Sequence, residues 1–311
     1  MSRFSFDLSD FVLVWWGLLY EAMPFVALGA LLSGFVERCL SRETVLRVLP
    51  RSRLLGLAAS GLLGLVFPMC ECGIVPVVRR LVRKGVPVSC AVTYMLAAPI
   101  VNPLVLASTF VAFGAQGGWR VAALRGAMGW VVAVTIGLVV WRVLGERSIL
   151  LGGSAPPDAD DAHAHSPGLG GALRDILTHA ARDFLEIGAT LVVGAGIAAL
   201  VNSGFHRSAM EPFARSPVTA VGSMSLLAIA LNLCSEADAF VAVSFYAFPL
   251  PAKMAFLVLG PMLDVKLLAM YTTVFRPRAI VAISGLVFAV IFLLCVSAYR
   301  WMPLVMAAGA G

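Results

Sequence analysis

Apolar residues in this chain come in long runs, and the polar residues that interrupt them fall at a few sharp places. Phe11–Val36 is the first run. It exceeds the roughly 20 residues that cross a bilayer as helix. It is too long for a signal-peptide core and lacks a small-x-small cleavage site, so it reads as a span. Leu54–Met69 is shorter and stops at Cys70-Glu71-Cys72-Gly73. A second short piece follows and ends in Arg79, Arg80, Arg83 and Lys84. Val86–Gly114 is long but carries Pro99-Ile100-Val101-Asn102-Pro103 in its middle, where two prolines and an asparagine should break the helix. Ala127–Leu144 is the next span. The second half opens with an amphipathic lead-in, Ala172–Asp183, and a span to Asn202. Val218–Leu233 is short and runs into Cys234-Ser235-Glu236-Ala237-Asp238. Ala252–Val274 contains Pro261-Met262-Leu263-Asp264-Val265-Lys266, and Ile280–Trp301 is the last run. The pattern predicts an all-α integral membrane protein with about eight hydrophobic segments.

Charge refines the topology. Arg38, Arg42, Arg47, Arg51 and Arg53 follow the first span, so that loop is cytoplasmic by the positive-inside rule and the N-terminus is outside. A single crossing from Leu54 to Val78 would put Arg79–Lys84 on the wrong face. A re-entrant hairpin with the Cys70–Gly73 tip at depth removes the conflict, and such backbone is tolerated where it is buried in protein or lines a cavity.

The halves also match each other. An offset of 162 takes Cys72 to Cys234, Pro87 to Pro249, Pro99 to Pro261 and Asn102 to Asp264, and one of 165 takes Glu21 to Glu186. Each half then holds three transmembrane helices plus one re-entrant or broken hairpin. An odd number of crossings makes the two repeats inverted, a plan common in transporters. The expected division is residues 1–145 for the first membrane repeat, 146–171 for a cytoplasmic linker and 172–311 for the second repeat. The linker is polar, with Gly152-Gly153-Ser154 and a cluster of Asp158, Asp160, Asp161, His163 and His165. Its composition reads as a solvated connector.

Composition agrees with the membrane reading. The 311 residues are 60% hydrophobic and 13% charged, against about 25% charged in soluble domains. The net charge of +6 comes from short loops that orient the chain, so it does not argue for nucleic acid. Six cysteines lie scattered, several in apolar segments, which is unlike a disulfide scaffold. No P-loop, GxSxG or HExxH pattern is present. The chain is expected not to be an enzyme and to need no cofactor, with coupling to a proton gradient as the simplest energy source.

Ionisable groups placed between membrane segments mark pathways and binding sites. The candidate substrate-binding residues are therefore Cys70, Glu71, Cys72, Asn102, Cys234, Glu236, Asp238, Asp264 and Lys266. Thiolates suit soft metals, so Cys70, Cys72 and Cys234 are also candidate metal ligands. The competing readings are buried cysteines acting as small hydrophobes and an Asp264–Lys266 pair that only joins helices. Glu21 and Glu186 read as interface residues, and Arg79–Lys84 as membrane-face anchors.

Cys70-Glu71-Cys72-Gly73-Ile74-Val75-Pro76, Lys84-Gly85-Val86-Pro87, Pro99–Pro103 and Gly260–Lys266 together resemble the predicted permease family that includes YraQ-type proteins and ArsP-type organoarsenical efflux permeases. The resemblance covers nearly the whole chain except the linker. It implies a multi-spanning inner-membrane permease moving a small solute by secondary transport. A thiophilic solute, a trivalent organoarsenical or a soft metal, is one expectation. The alternative is a membrane subunit of a metal- or sulfur-compound transport complex that requires a partner protein. Expected partners are the lipid bilayer, the solute, and a second membrane subunit or further copies of the chain.

Overall fold

A computed structural model describes residues 8–39, 50, 52–145, 149–150, 169–203 and 213–307. The helices in order are α1 (Leu8–Cys39), α2 (Arg53–Leu62), α3 (Glu71–Arg83), α4 (Val88–Ala97), α5 (Pro103–Ala112), α6 (Gly118–Val139), α7 (Leu169–Ser203), α8 (Pro217–Leu231), α9 (Asp238–Ser244), α10 (Leu250–Leu259), α11 (Val265–Tyr271) and α12 (Pro277–Ala307). A π-helical turn, Val140–Leu144, extends α6. Among the described residues there is no strand, only an isolated bridge between Leu150 and Phe275. Four stretches are long and apolar enough to cross a membrane: Leu8–Phe35, Gly118–Leu144, Arg174–Leu200 and Pro277–Pro303. The protein is an all-α multi-pass membrane protein.

Breaks fall where the backbone chemistry demands them. Asn102 accepts a hydrogen bond from the Leu104 amide at 2.9 Å and Pro103 occupies the first position of α5. Asp264 caps α11 in the same way, accepting from the Leu267 amide at 2.6 Å. A capping side chain satisfies one of the amides that a helix start leaves unpaired. At the end of α8, Asn232 adopts a left-handed φ of 52°. Its side-chain amide donates to the carbonyls of Ile229 and Ala230, both at 2.9 Å.

Small-residue contacts fix the directions of the helices. Along α6, Gly118 meets Phe110, Gly126 meets Leu106, Gly129 meets Ile100 and Gly137 meets Thr93. The partner numbers fall steadily, so α4 and α5 form one broken rod running antiparallel to α6. Helix α2 runs parallel to α4, with Gly56 on Cys90 and Gly64 on Ala98 and Val101. The chain must therefore come back between them, and α3 is that return. It lies parallel to α1, where Gly29 abuts the Gly73 backbone and Ser33 Oγ lies 3.4 Å from the Pro76 carbonyl oxygen. Helix α7 is antiparallel to α1: Gly34 faces Ile176 and Ala180, while the Trp15 indole donates to the Val192 carbonyl at 3.2 Å.

Several expected boundaries move. The span expected from Ala127 begins at Gly118, because Arg120 and Arg125, which look like loop residues, lie inside the helix. The run Leu54–Met69 is helical only to Leu62, with one further 3-10 turn at Leu63–Leu65. Val86–Gly114 and Ala252–Val274 are each two short helices rather than one span. Linker residues 146–148 and 151–168, with their His/Asp cluster, lie outside the described residues, as do Arg42, Arg47, Arg51, His206 and Arg207.

A Cβ at Gly29 would overlap backbone atoms of Gly73. Alanine is worth about 1 kcal/mol more than glycine in a helix interior, yet Gly29→Ala is expected to destabilise the protein. Backbone in a close helix contact cannot move aside as a flexible side chain can. Denaturation in detergent checks this, and Gly17→Ala, with open space around it, is the control expected to be neutral or stabilising.

Candidate functional site

The tip between α2 and α3 meets the turn after α8 and the start of α11. Cys70 precedes α3, and its sulfur accepts a hydrogen bond from the Gly73 amide at 3.4 Å. That cap starts the helix at Glu71 and turns its side chain into the protein. Glu71 is 1% exposed and Lys266 1%. The ammonium of Lys266 lies 3.1 Å from Glu71 Oε1, and the Ser235 hydroxyl donates to Glu71 Oε2 at 3.1 Å. Lys266 Nζ also donates to the Asn232 carbonyl at 3.2 Å and approaches Cys234 Sγ at 4.0 Å. Its own backbone amide donates to Asn232 Oδ1 at 3.2 Å. Asp264 Oδ2 stands 3.4 Å from the ammonium without hydrogen-bond geometry. Glu236 is half-buried, with Oε2 3.4 Å from the Ser235 hydroxyl.

This cluster spans more than 160 residues of sequence. It places two carboxylates, Glu71 and Asp264, beside one ammonium, with Glu236 joined to Glu71 through the Ser235 hydroxyl. The two buried carboxylates outnumber the one ammonium between them, and uncompensated buried charge is expensive.

A second buried network sits beside the first. Arg125 of α6 reaches Asp238 Oδ2 at 2.6 Å, Thr109 Oγ1 at 2.8 Å and the Ser235 carbonyl at 3.4 Å. The two networks meet at Ser235, whose hydroxyl serves Glu71 and whose carbonyl serves Arg125. Asp238 Oδ1 and Arg125 Nε have no hydrogen-bond partner.

A third network lies toward the far end of α3. Arg80 holds Asp183 of α7 with two hydrogen bonds, Nε to Oδ2 at 3.3 Å and Nη2 to Oδ1 at 3.1 Å. Ser33 of α1 donates to Asp183 Oδ2 at 2.6 Å. Arg79 pairs with Glu186 at 2.6 Å nearer the surface.

Of the nine residues singled out in the sequence, Glu71, Cys234, Glu236, Asp264 and Lys266 come together around one ammonium or its immediate neighbours. Asp238 joins them through Arg125 and Ser235. Cys70 and Cys72 are buried on either side of Glu71, and the Cys70 sulfur is used as a helix cap. Asn102 caps α5, its oxygen bound to a local amide. Among the described residues no group of three or more His, Cys, Asp or Glu side chains is gathered closely enough to hold a metal ion. Sequence reasoning missed Arg125, Asp183, Ser33, Asn232 and Ser235. An arginine seven residues inside the apolar helix that starts at Gly118 was the available signal for Arg125.

Comparison with known proteins places the chain. Residues 7–298 match the family described as predicted permease, ArsP_1. The chain is 39% identical over 267 residues to the UPF0718 protein YcgR of Bacillus subtilis, covering 84% of this chain and 87% of that one. It is 36% identical over 282 residues to a protein of Streptococcus mutans named putative two-component membrane permease complex subunit, covering 89% and 91%. The UPF0718 protein YraQ of Escherichia coli matches at 28% over 133 residues, covering 43% and 36%. No solved structure matches the chain. A match of this length, over a chain of broken apolar helices with ion pairs sealed among them, leaves one assignment: the chain belongs to the predicted permease family.

Proposed function

We propose that the chain is a secondary permease of the cell's inner membrane, built from two inverted repeats at residues 1–145 and 172–311 joined by the 146–171 linker. Its solute site lies where the tips of the two halves meet. The observation that carries this reading is the Glu71–Lys266 pair, 3.1 Å apart and 1% exposed on both sides. Glu71 starts the returning arm of the first half, and Lys266 follows the helix break of the second.

Packing directions support the inversion. Helices α1 and α7 occupy corresponding places in the halves and run antiparallel. So do α6 and α12, since Arg120 near the start of α6 donates to the Met306 carbonyl at the end of α12. Asn102 and Asp264 cap corresponding broken helices. Because α2 and α4 start on one face and α3 returns to it, α2–α3 reads as a hairpin entering from the side rich in Arg and Lys.

The solute reading follows the side chains. Three thiols, Cys70, Cys72 and Cys234, border a buried acid–ammonium cluster, which suits a small thiophilic solute such as a trivalent organoarsenical or a soft metal ion moved as cargo. Purified protein in vesicles is expected to carry phenylarsenite, and Cys70→Ser with Cys72→Ser is expected to abolish that flux. Unchanged flux in the double variant removes the thiol role. A growth screen of a deletion strain against metals, arsenicals and sulfur compounds tests the solute class without assuming it.

The name of the Streptococcus mutans relative favours a second reading, in which this chain works as one subunit of a two-component complex. A stoichiometric second membrane protein co-purifying with the tagged chain would support it.

A further inference from the structure

An open cavity of about 580 Å³ lies where α6 ends and α12 begins, lined by Leu144, Ile149, Arg276, Pro277, Arg278 and Ala279. It shares no residue with the buried networks described above. Gly118–Leu144 and Pro277–Pro303 are two of the four stretches apolar enough to cross a membrane. The cavity touches the last residue of one and the first of the other, so it sits where the hydrocarbon gives way to headgroups. Its wall divides by chemistry. Leu144, Ile149, Pro277 and Ala279 are apolar, and Arg276 and Arg278 bring two guanidiniums.

Arg276 is held in place. Its amide donates to the Ile149 carbonyl at 2.9 Å and its Nε to the Leu150 carbonyl at 3.0 Å, beside the bridge between Leu150 and Phe275. A guanidinium has five N–H donors, so the four on Nη1 and Nη2 remain. Among the described residues no acid pairs with Arg276 or Arg278, and none lines the cavity. The first turn of a helix favours Asp or Glu, because aligned peptide dipoles leave that end partly positive. Helix α12 has no acid there and carries these two cations instead. Like charges gathered at a positive helix end repel one another, and an anion between them removes the repulsion.

We propose that this cavity holds the headgroup of an anionic phospholipid. Basic pockets between transmembrane helices suit such headgroups. The phosphate oxygens accept from the planar forks of Arg276 and Arg278, and the glycerol and first methylenes lie against Leu144 and Ile149. The space fits this occupant. Sites for small molecules run to about 300–1,000 Å³, and a free phosphate would leave the apolar wall unused. Charge sets the class of lipid. A zwitterionic headgroup brings a cation of its own, and no carboxylate on the wall meets it. An anionic headgroup brings none. A lipid seated here joins the end of α6 to the start of α12. The inference concerns a lipid rather than the solute, and it stands apart from the permease reading.

The test is native mass spectrometry of the purified full chain in detergent, with phosphatidylglycerol or phosphatidylcholine of the same acyl chains. The wild type is expected to retain phosphatidylglycerol in preference, and its unfolding midpoint to rise with that lipid alone. Arg276→Gln with Arg278→Gln is expected to weaken retention about 30-fold, the amount two basic residues add at an anionic surface. Arg278→Gln alone should lose part of it. Arg278 lines the cavity without joining any described ion pair, so that variant keeps the fold. Arg142 is the control for diffuse surface charge: it lies near the end of α6 over the Trp141 ring, at 5.4 Å, and does not line the cavity. Arg142→Gln is expected to keep the preference. Equal retention of the two lipids, a double variant that binds like the wild type, or an equal loss in Arg142→Gln overturns the proposal. Inorganic phosphate that raises the midpoint as much as phosphatidylglycerol at the same concentration would make this a free-anion site, and overturns it too.

Discussion

Replacing Lys266 with alanine is expected to cost about 3–5 kcal/mol of stability and to abolish transport. The figure is the usual penalty for removing one partner of a buried ion pair, because the other is left charged and unpaired. Here the loss is compounded, since the ammonium binds Glu71, the Asn232 carbonyl and the Cys234 sulfur together. Glu71→Gln alone is expected to be milder, because the amide keeps its acceptor oxygen and the Ser235 hydroxyl still has a partner. Glu71→Gln with Lys266→Met should recover much of the loss, as buried pairs exchanged for uncharged groups of similar volume often do. Unfolding in detergent measures all three. A Lys266→Ala variant as stable as the wild type would mean that the ammonium and the carboxylate do not meet in the folded protein.

Arg125→Ala is expected to destabilise by a similar 3–5 kcal/mol, for a different geometric reason. The guanidinium serves three acceptors in different directions: Asp238, Thr109 and the Ser235 carbonyl. Lysine offers one charged nitrogen in place of a planar fork, so Arg125→Lys should recover only part of the loss. The decisive measurement is a double-mutant cycle between Arg125→Ala and Asp238→Ala. These residues lie 113 positions apart, and sites that do not touch add to within about 0.5 kcal/mol. Additive effects would show that the bridge between the halves does not form.

Much of the architecture was legible because membrane spans and helix breaks are written locally. Asn102-Pro103 and Asp264 announce helix starts by composition, and both prove to be caps. The Cys70–Gly73 tip was visible as a polar interruption with basic residues on the wrong side for a simple crossing. What stayed hidden was pairing. Glu71 looked like one acid among several, and Lys266 seemed to belong to Asp264, two residues away. Its closer partner lies 195 positions upstream, and no local spacing encodes that distance. Asp183 was absorbed into an amphipathic lead-in because its partner, Arg80, looked like a surface anchor. Arg125 was placed outside its span for the same reason: an arginine looks expensive in an apolar helix until its acceptors are known.

The arm α3 is held at both extremities. Near one, Arg80 grips Asp183 with two bonds, and at the other Glu71 is held by Lys266 and Ser235. Nine residues of helix separate the two grips, about 14 Å at 1.5 Å per residue. A short lever fastened at each end cannot pivot at one without straining the other or bending at Pro76 between them. Loosening at the Glu71 end would therefore be felt at the Arg80 end, so the contacts of α3 with α11 and with α7 are mechanically linked.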